Sequence, residues 1–281
     1  MFGSRRLRLC ELFGIPLYLD SSLLILLVIY ALNGGSLFFN LIGAALMFAS
    51  ISEHELGLAL TARSFGYETN DITLSLLGGC ASLISLPRKA SQEFLTAIAG
   101  PAVSFLIAVV AFTGIGMIRK ESVWGVVLYE ITNGMFGNPS FTGHISSQMS
   151  WLVKLLFHVG MMNIMLGAFN MLPGFPMDGG RVFRSVMRSF MDRTRATYVA
   201  MIVGRVFAVL LALHGLHRIL YQGNWGFITL LIAWMIWQEG YREYRQALIE
   251  EEWGGRWNYS AKISPPPYGG DEDETEIRRD R

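Results

Sequence analysis

His54 and Glu55 stand side by side in the stretch SEHELGLALTARSFGY, residues 52–67. A His-Glu pair opens the H-E-x-x-H pattern. There, two imidazoles one helical turn apart grip a zinc ion, and the glutamate takes a proton from water. The second imidazole belongs at position 58, and the residue there is Leu58. Leucine has no lone pair to offer a metal. The pair is nonetheless unusual, because Glu53, His54 and Glu55 fall in an apolar run. Ionisable groups at membrane depth cost several kcal/mol unless paired, ligated or hydrated. The plain alternative is that Glu53 and His54 bond to neighbouring helices near a membrane face.

A second constellation is FNMLPGFPMDGGR, residues 169–181. Pro173 and Pro176 prevent regular helix, and Gly179 and Gly180 permit unusual backbone. Asp178 is therefore expected on an irregular segment, free to ligate a metal. Otherwise it caps a helix beginning near Arg181.

The elements that would bring these residues together are membrane spans. Of the 281 residues, 52% are hydrophobic and 16% charged, and mean hydropathy is +0.39. Apolar runs of about 20 residues read as transmembrane helices. Six are expected, at 17–33, 37–62, 93–118, 149–172, 198–220 and 226–248. Residues 1–16 then form an N-terminal segment, 17–248 a six-span domain and 249–281 a tail. The tail, with SPPPYGGDEDETEIRRDR, reads as disordered. The stretch 67–90 is broken by Gly78 and Gly79 and reads as a β-hairpin at the membrane face. Such backbone survives at depth only under protein cover. The fold class is thus all-α and polytopic, with one small membrane-associated hairpin. Asp20 would cap the first span. Cys10 and Cys80 make no disulfide framework or zinc cluster, and a net charge of +1 gives no sign of nucleic acid.

Lysines and arginines set the orientation. With a cytoplasmic N-terminus, only Arg119, Lys120 and Arg218 fall in outside connections, and nearly all the rest lie inside. Both termini are then cytoplasmic, in a plasma (inner) membrane. The second and fourth spans both run outside to inside. His54 and Glu55 therefore lie at the same level as Asp178, near the cytoplasmic face.

These motifs, in this order, resemble the site-2 protease family of intramembrane zinc metalloproteases, across residues 12–250. The resemblance rests on HELG at 54–57 followed by ALTARSFGY, LLGGCASL at 76–83, EFLTAIAGPAVSF at 93–105 and NMLPGFPMDGGRVFRS at 170–185. It implies one zinc ion, with His54 and Asp178 as ligands and Glu55 as the base. Near such an ion Asn170 would donate to the oxyanion or hold the substrate strand; the alternative is an interhelical hydrogen bond. The substrates implied are transmembrane helices of membrane proteins within the lipid bilayer, partly unwound to expose their amides. The family's common C-terminal regulatory domains are not expected.

Leu58 is the departure from the pattern. It leaves two protein ligands where catalytic zinc has three, so zinc is expected to be weak or absent. Few substitutes suggest themselves. His158 is about 140° around its helix from Asn163 at 100° per residue. His144 lies in the outside loop, and His214 and His217 lie near the outside end of the fifth span. Glu53 points about 100° away from His54. Three functions stay open: an active intramembrane peptidase, a non-catalytic relative that binds transmembrane segments, and an unrelated transporter or channel.

Overall fold

The computed structural model describes residues 6–21, 37–75, 78–83, 89–120, 123–128, 150–222 and 226–254. Two strands come first, β1 (Arg6–Leu12) and β2 (Ile15–Asp20). Helix α1 (Leu37–Ser64) follows, then β3 (Thr69–Ser75) and β4 (Gly78–Leu83). The rest is helical: α2 (Ala90–Arg119), α3 (Trp151–Asn170), α4 (Asp178–Met187), α5 (Arg193–Gln222) and α6 (Gly226–Gly254). A short helical segment covers 124–128.

Four of the described helices are long and apolar enough to cross a membrane: Asn40–Ser64, Ala90–Arg119, Trp151–Asn170 and Arg193–Tyr221. They match the second to fifth expected spans. The sixth expected span, 226–248, is helical, but Glu239, Arg242, Glu243 and Arg245 crowd its second half. Residues 22–36, most of the first expected span, lie outside the described residues, as does the tail from 255. The start of that first span needs correcting. Residues 17–20 finish β2, so Asp20 ends a strand.

The expected hairpin is β3–β4, and it belongs to a larger sheet of order β1-β2-β3-β4. β1 and β2 are antiparallel, β2 and β3 parallel, and β3 and β4 antiparallel. The parallel pair matches Leu17 with Ile72 and Leu19 with Leu74. Alternate residues of β2 and β3 share a sheet face. That face puts Ile15, Leu17, Ile72 and Leu74 against Leu56 and Ala59 of α1. The sheet thereby covers the face of α1 that carries Leu56 and Ala59, turned about 140° or more from His54 at 100° per residue. Arg63, in the last turn of α1, donates to the carbonyl of Phe13 at 2.6 Å and secures the β1–β2 turn. Phe13 and Gly14 hold that turn with φ of 53° and 76°.

Small residues let the helices approach closely. A Cβ on Gly57 of α1 would lie 3.0 Å from the carbonyl oxygen of Ala99 in α2. In α3, one on Gly160 would meet the ring of Phe112 at 2.6 Å. Around that ring Ala108, Ile115, Val153, Phe157 and Met161 form the α2–α3 core. Between membrane helices such packing supplies much of the association, because lipid tails are as apolar as leucine.

Candidate functional site

α1 carries His54 and Glu55 about five turns from its start, with both side chains buried. Glu53, between the buried Ser52 and His54, is exposed. This is the outcome expected of a residue 100° around the helix. The His54 ring lies flat against α2. A Cβ on Gly100 would stand 2.7 Å from Nε2, 2.9 Å from Cδ2 and 3.0 Å from Cε1. One turn further along α2, Ser104 Oγ lies 3.0 Å from His54 Nδ1. Gly100 thus makes room for the ring, and Ser104 holds its orientation.

Asp178 meets the other ring nitrogen. Its Oδ2 lies 3.0 Å from His54 Nε2, and both residues are buried. The chain around Asp178 differs from expectation. α4 begins at Asp178 itself with Met177 as N-cap, so the aspartate sits in the first turn of the helix. The positive end of the helix dipole favours a carboxylate there. Arg181 Nη1 lies 3.7 Å from the other oxygen, Oδ1. Backbone closes around the next two residues. A Cβ on Gly179 would fall on the carbonyls of Met171 and Leu172, and one on Gly180 would meet Gly174 and Phe175. The glycines of the DGG triplet therefore admit the preceding loop, which sets where Asp178 emerges.

The donor set can be tested against zinc. Two ligands of one tetrahedral zinc, with bonds of about 2.0–2.1 Å, stand about 3.3 Å apart. The His54 and Asp178 donors are 3.0 Å apart. In kind and spacing the pair fits a metal, and Ser104 at Nδ1 fixes the ring as the outer partner of a ligating histidine does. In number it falls short. Leu58 is buried, on the face of α1 that carries His54. Among the described residues no three His, Cys, Asp or Glu side chains come together. The residues present do not complete a catalytic zinc site.

The other candidates take up separate places. Asn170 ends α3, and its amide donates to the Leu166 carbonyl of the same helix at 3.0 Å. His158 is buried at Nε2 without a hydrogen-bond partner there. Asn163 is fully buried and donates to Ser50 Oγ at 2.9 Å and to the Val159 carbonyl. Ser50 lies one turn before His54 on α1, so this contact ties α3 to the same stripe. His144 lies outside the described residues.

Sequence reasoning missed Ser104 and Gly100 as partners of His54. Two small residues four apart in an apolar helix are the signal that could have found them. It also missed a buried ion cluster. Arg184 of α4 bonds Glu93 of α2 through Nε at 2.7 Å and Nη2 at 2.6 Å, and Glu243 of α6 through Nη1 at 2.8 Å. Arg188 Nη1 reaches the second oxygen of Glu93 at 2.7 Å. Burial works against the charged Arg184 guanidinium, but Glu93 and Glu243 outweigh it and move its pKa up.

Comparison with known proteins decides the lineage. The family model for Peptidase family M50 matches residues 42–213. The chain belongs to peptidase family M50, the site-2 protease family. It is 31% identical over 268 residues to a zinc metalloprotease of Synechocystis, covering 89% of this chain and 63% of that one. It is 30% identical over 213 residues to a zinc metalloprotease of Methanocaldococcus jannaschii, covering 75% of this chain and 54% of that one. The chain thus spans less than two thirds of the length of these relatives. Among solved structures, the site-2 protease of Methanocaldococcus jannaschii matches with a TM-score of 0.55 and 27% identity, over 85% of this chain and 95% of that one. The site-2 protease fold is membrane-embedded, and four apolar helices of this chain agree with it.

Proposed function

We propose that this chain is a site-2-protease-like intramembrane peptidase with a degenerate metal site, acting on transmembrane helices of membrane proteins. The observation that carries the reading is the 3.0 Å contact between His54 and Asp178, from helices 124 residues apart in sequence. A zinc ion, were it held there, would supply a polarised carbonyl and a water of lowered pKa, and with Leu58 in place its protein ligands would number two. The protein's own groups do the rest. His54 and Asp178 would hold the ion, and Ser104 would keep the imidazole aimed. Glu55, buried beside His54, would take a proton and return it to the leaving amine. Asn170 would hold the substrate strand or donate to the oxyanion. An unwound substrate would pair with the hairpin sheet, whose backbone offers an edge at β4. The chain would sit in the plasma (inner) membrane with both termini cytoplasmic. Its partners would be substrate helices and lipid, with no nucleic acid.

Leu58 favours a second reading, in which the chain binds or regulates transmembrane segments without cutting them. Its side chain is buried, where a third ligand would have to stand. One experiment separates the two. The wild type, Leu58→His and Leu58→His/Glu55→Gln are reconstituted with a transmembrane test substrate. Cleavage by the wild type supports the peptidase as written. Cleavage only by Leu58→His, abolished by Glu55→Gln, supports a peptidase scaffold disabled at one position. Binding without cleavage by either of the first two supports the non-catalytic reading.

A further inference from the structure

We propose that Arg184 is a positioning residue that fixes the Asp178 carboxylate against His54. Arg184 is almost fully buried, at 2% exposure, and touches three separate parts of the chain. It bonds Glu93 at the start of α2 and Glu243 in α6. Its guanidinium also lies 4.9 Å over the ring of Phe175, which is itself buried and three residues before Asp178. The carboxylate is therefore held from both sides of the sequence. The loop leading into it rests on Arg184, and the helix leading out of it carries Arg184.

The spacing makes this a two-point docking. On α2, Glu93 and Gly100 are seven residues apart, share a face and lie about 10.5 Å apart along the axis. On α4, Asp178 and Arg184 are six residues apart, about 9 Å. Gly100 and Ser104 meet His54, which meets Asp178, while Glu93 meets Arg184. α4 is thus held at two points, by the ion pair to α2 and by Asp178 against His54, which itself rests on Gly100 and Ser104 of α2. Both Glu93 oxygens are occupied, one by Arg184 and the other by Arg188. The glutamate also sits in the first turn of α2, where the helix dipole favours its charge. A rigid guanidinium fork can hold three directions at once, which a lysine ammonium on a flexible stem does not do. Sliding α4 along α2 by even a fraction of a turn would break the fork and carry Asp178 away from His54.

The inference rests on the His54–Asp178 contact and not on peptidase activity, so it is tested without turnover. The full chain is labelled with ¹⁵N-histidine in micelles, and the His54 ring signal is identified by its loss in His54→Gln. Asp178→Asn gives the signal of a ring without its carboxylate. Arg184→Lys and Glu93→Gln are expected to move the His54 Nε2 signal toward the Asp178→Asn position. Phe175→Leu leaves all ion pairs in place and is expected to move it the same way by a smaller amount. This variant decides the matter if the charge variants fail to fold. A lower melting midpoint with an unmoved His54 signal in the folded variants would overturn the proposal and leave Arg184 as a fold anchor only.

Discussion

Gly100→Ala puts a methyl group where the His54 ring lies. The added Cβ would stand 2.7 Å from Nε2 and within 3.0 Å of two ring carbons. Ordinary contacts of this kind are about 3.5 Å, so the ring must retreat by roughly 0.8 Å. A free side-chain end would move cheaply, but this ring is tethered at both nitrogens, to Ser104 and to Asp178 at 3.0 Å each. A displacement of that size takes at least one bond beyond useful length. Overpacking costs about 1–3 kcal/mol, and each lost bond about 1 kcal/mol. Replacing a mid-helix glycine by alanine returns about 1 kcal/mol. The expected net loss is about 1–3 kcal/mol. At about 2–4 °C per kcal/mol, thermal unfolding in micelles should show a midpoint several degrees lower. The His54 ring signals should move in the same sample. A raised midpoint with unmoved His54 signals would show the full propensity gain and no clash, and would refute the cradle formed by α2.

Other substitutions probe neighbouring parts of the account. Gly179→Ala drives a Cβ into the Met171 and Leu172 carbonyls; because the obstacle is backbone, folded yield should fall sharply in size-exclusion profiles. Arg184→Ala leaves Glu93 buried without its main partner and should cost about 3–5 kcal/mol in unfolding measurements. Ser104→Ala removes the hydrogen-bond partner of His54 Nδ1 and should cost about 1 kcal/mol in the same assay, with a detectable change at the Nδ1 signal. Phe190→Cys, at an exposed position following α4, should react with impermeant thiol reagents only from the cytoplasmic side, and Lys120→Cys only from the opposite side; the reverse pattern would invert the proposed orientation.

Where apolar runs are long, the sequence is a good guide, because a lipid-facing helix needs about 20 such residues in a row. The helices containing Asn40–Ser64, Ala90–Arg119, Trp151–Asn170 and Arg193–Tyr221 were all visible that way. The strand Ile15–Asp20 was not, since a short apolar run does not distinguish a strand from the start of a span. Its parallel pairing with β3 joins residues 55 apart, such as Leu17 and Ile72, which local patterning cannot report. Near Asp178, two prolines and two glycines suggested irregular chain. Yet α4 starts directly at Asp178, because the last proline is Pro176 and the glycines serve close packing. Placing Asp178 with His54 was legible from charge asymmetry and motif order. Ser104 and the Glu93–Arg184 pair were not, because each partner lies 50 or more residues away and neither spacing announces the contact.

The proposed site pairs His54 with Asp178, two side chains of a kind that could hold a metal, and has Leu58 where a third would stand. Zinc per chain, measured on the purified wild type and on Leu58→His, tests it most directly. The variant places an imidazole one helical turn from His54, and with three protein ligands it should retain close to one ion per chain. The wild type, with His54 and Asp178 alone, should retain far less, since each ligand contributes several kcal/mol to binding on the order of 10 kcal/mol for a full set. Full zinc occupancy in the wild type would contradict the account by showing that another group completes the site. An empty Leu58→His variant would contradict it by showing that the His54–Asp178 pair is no longer shaped for a metal.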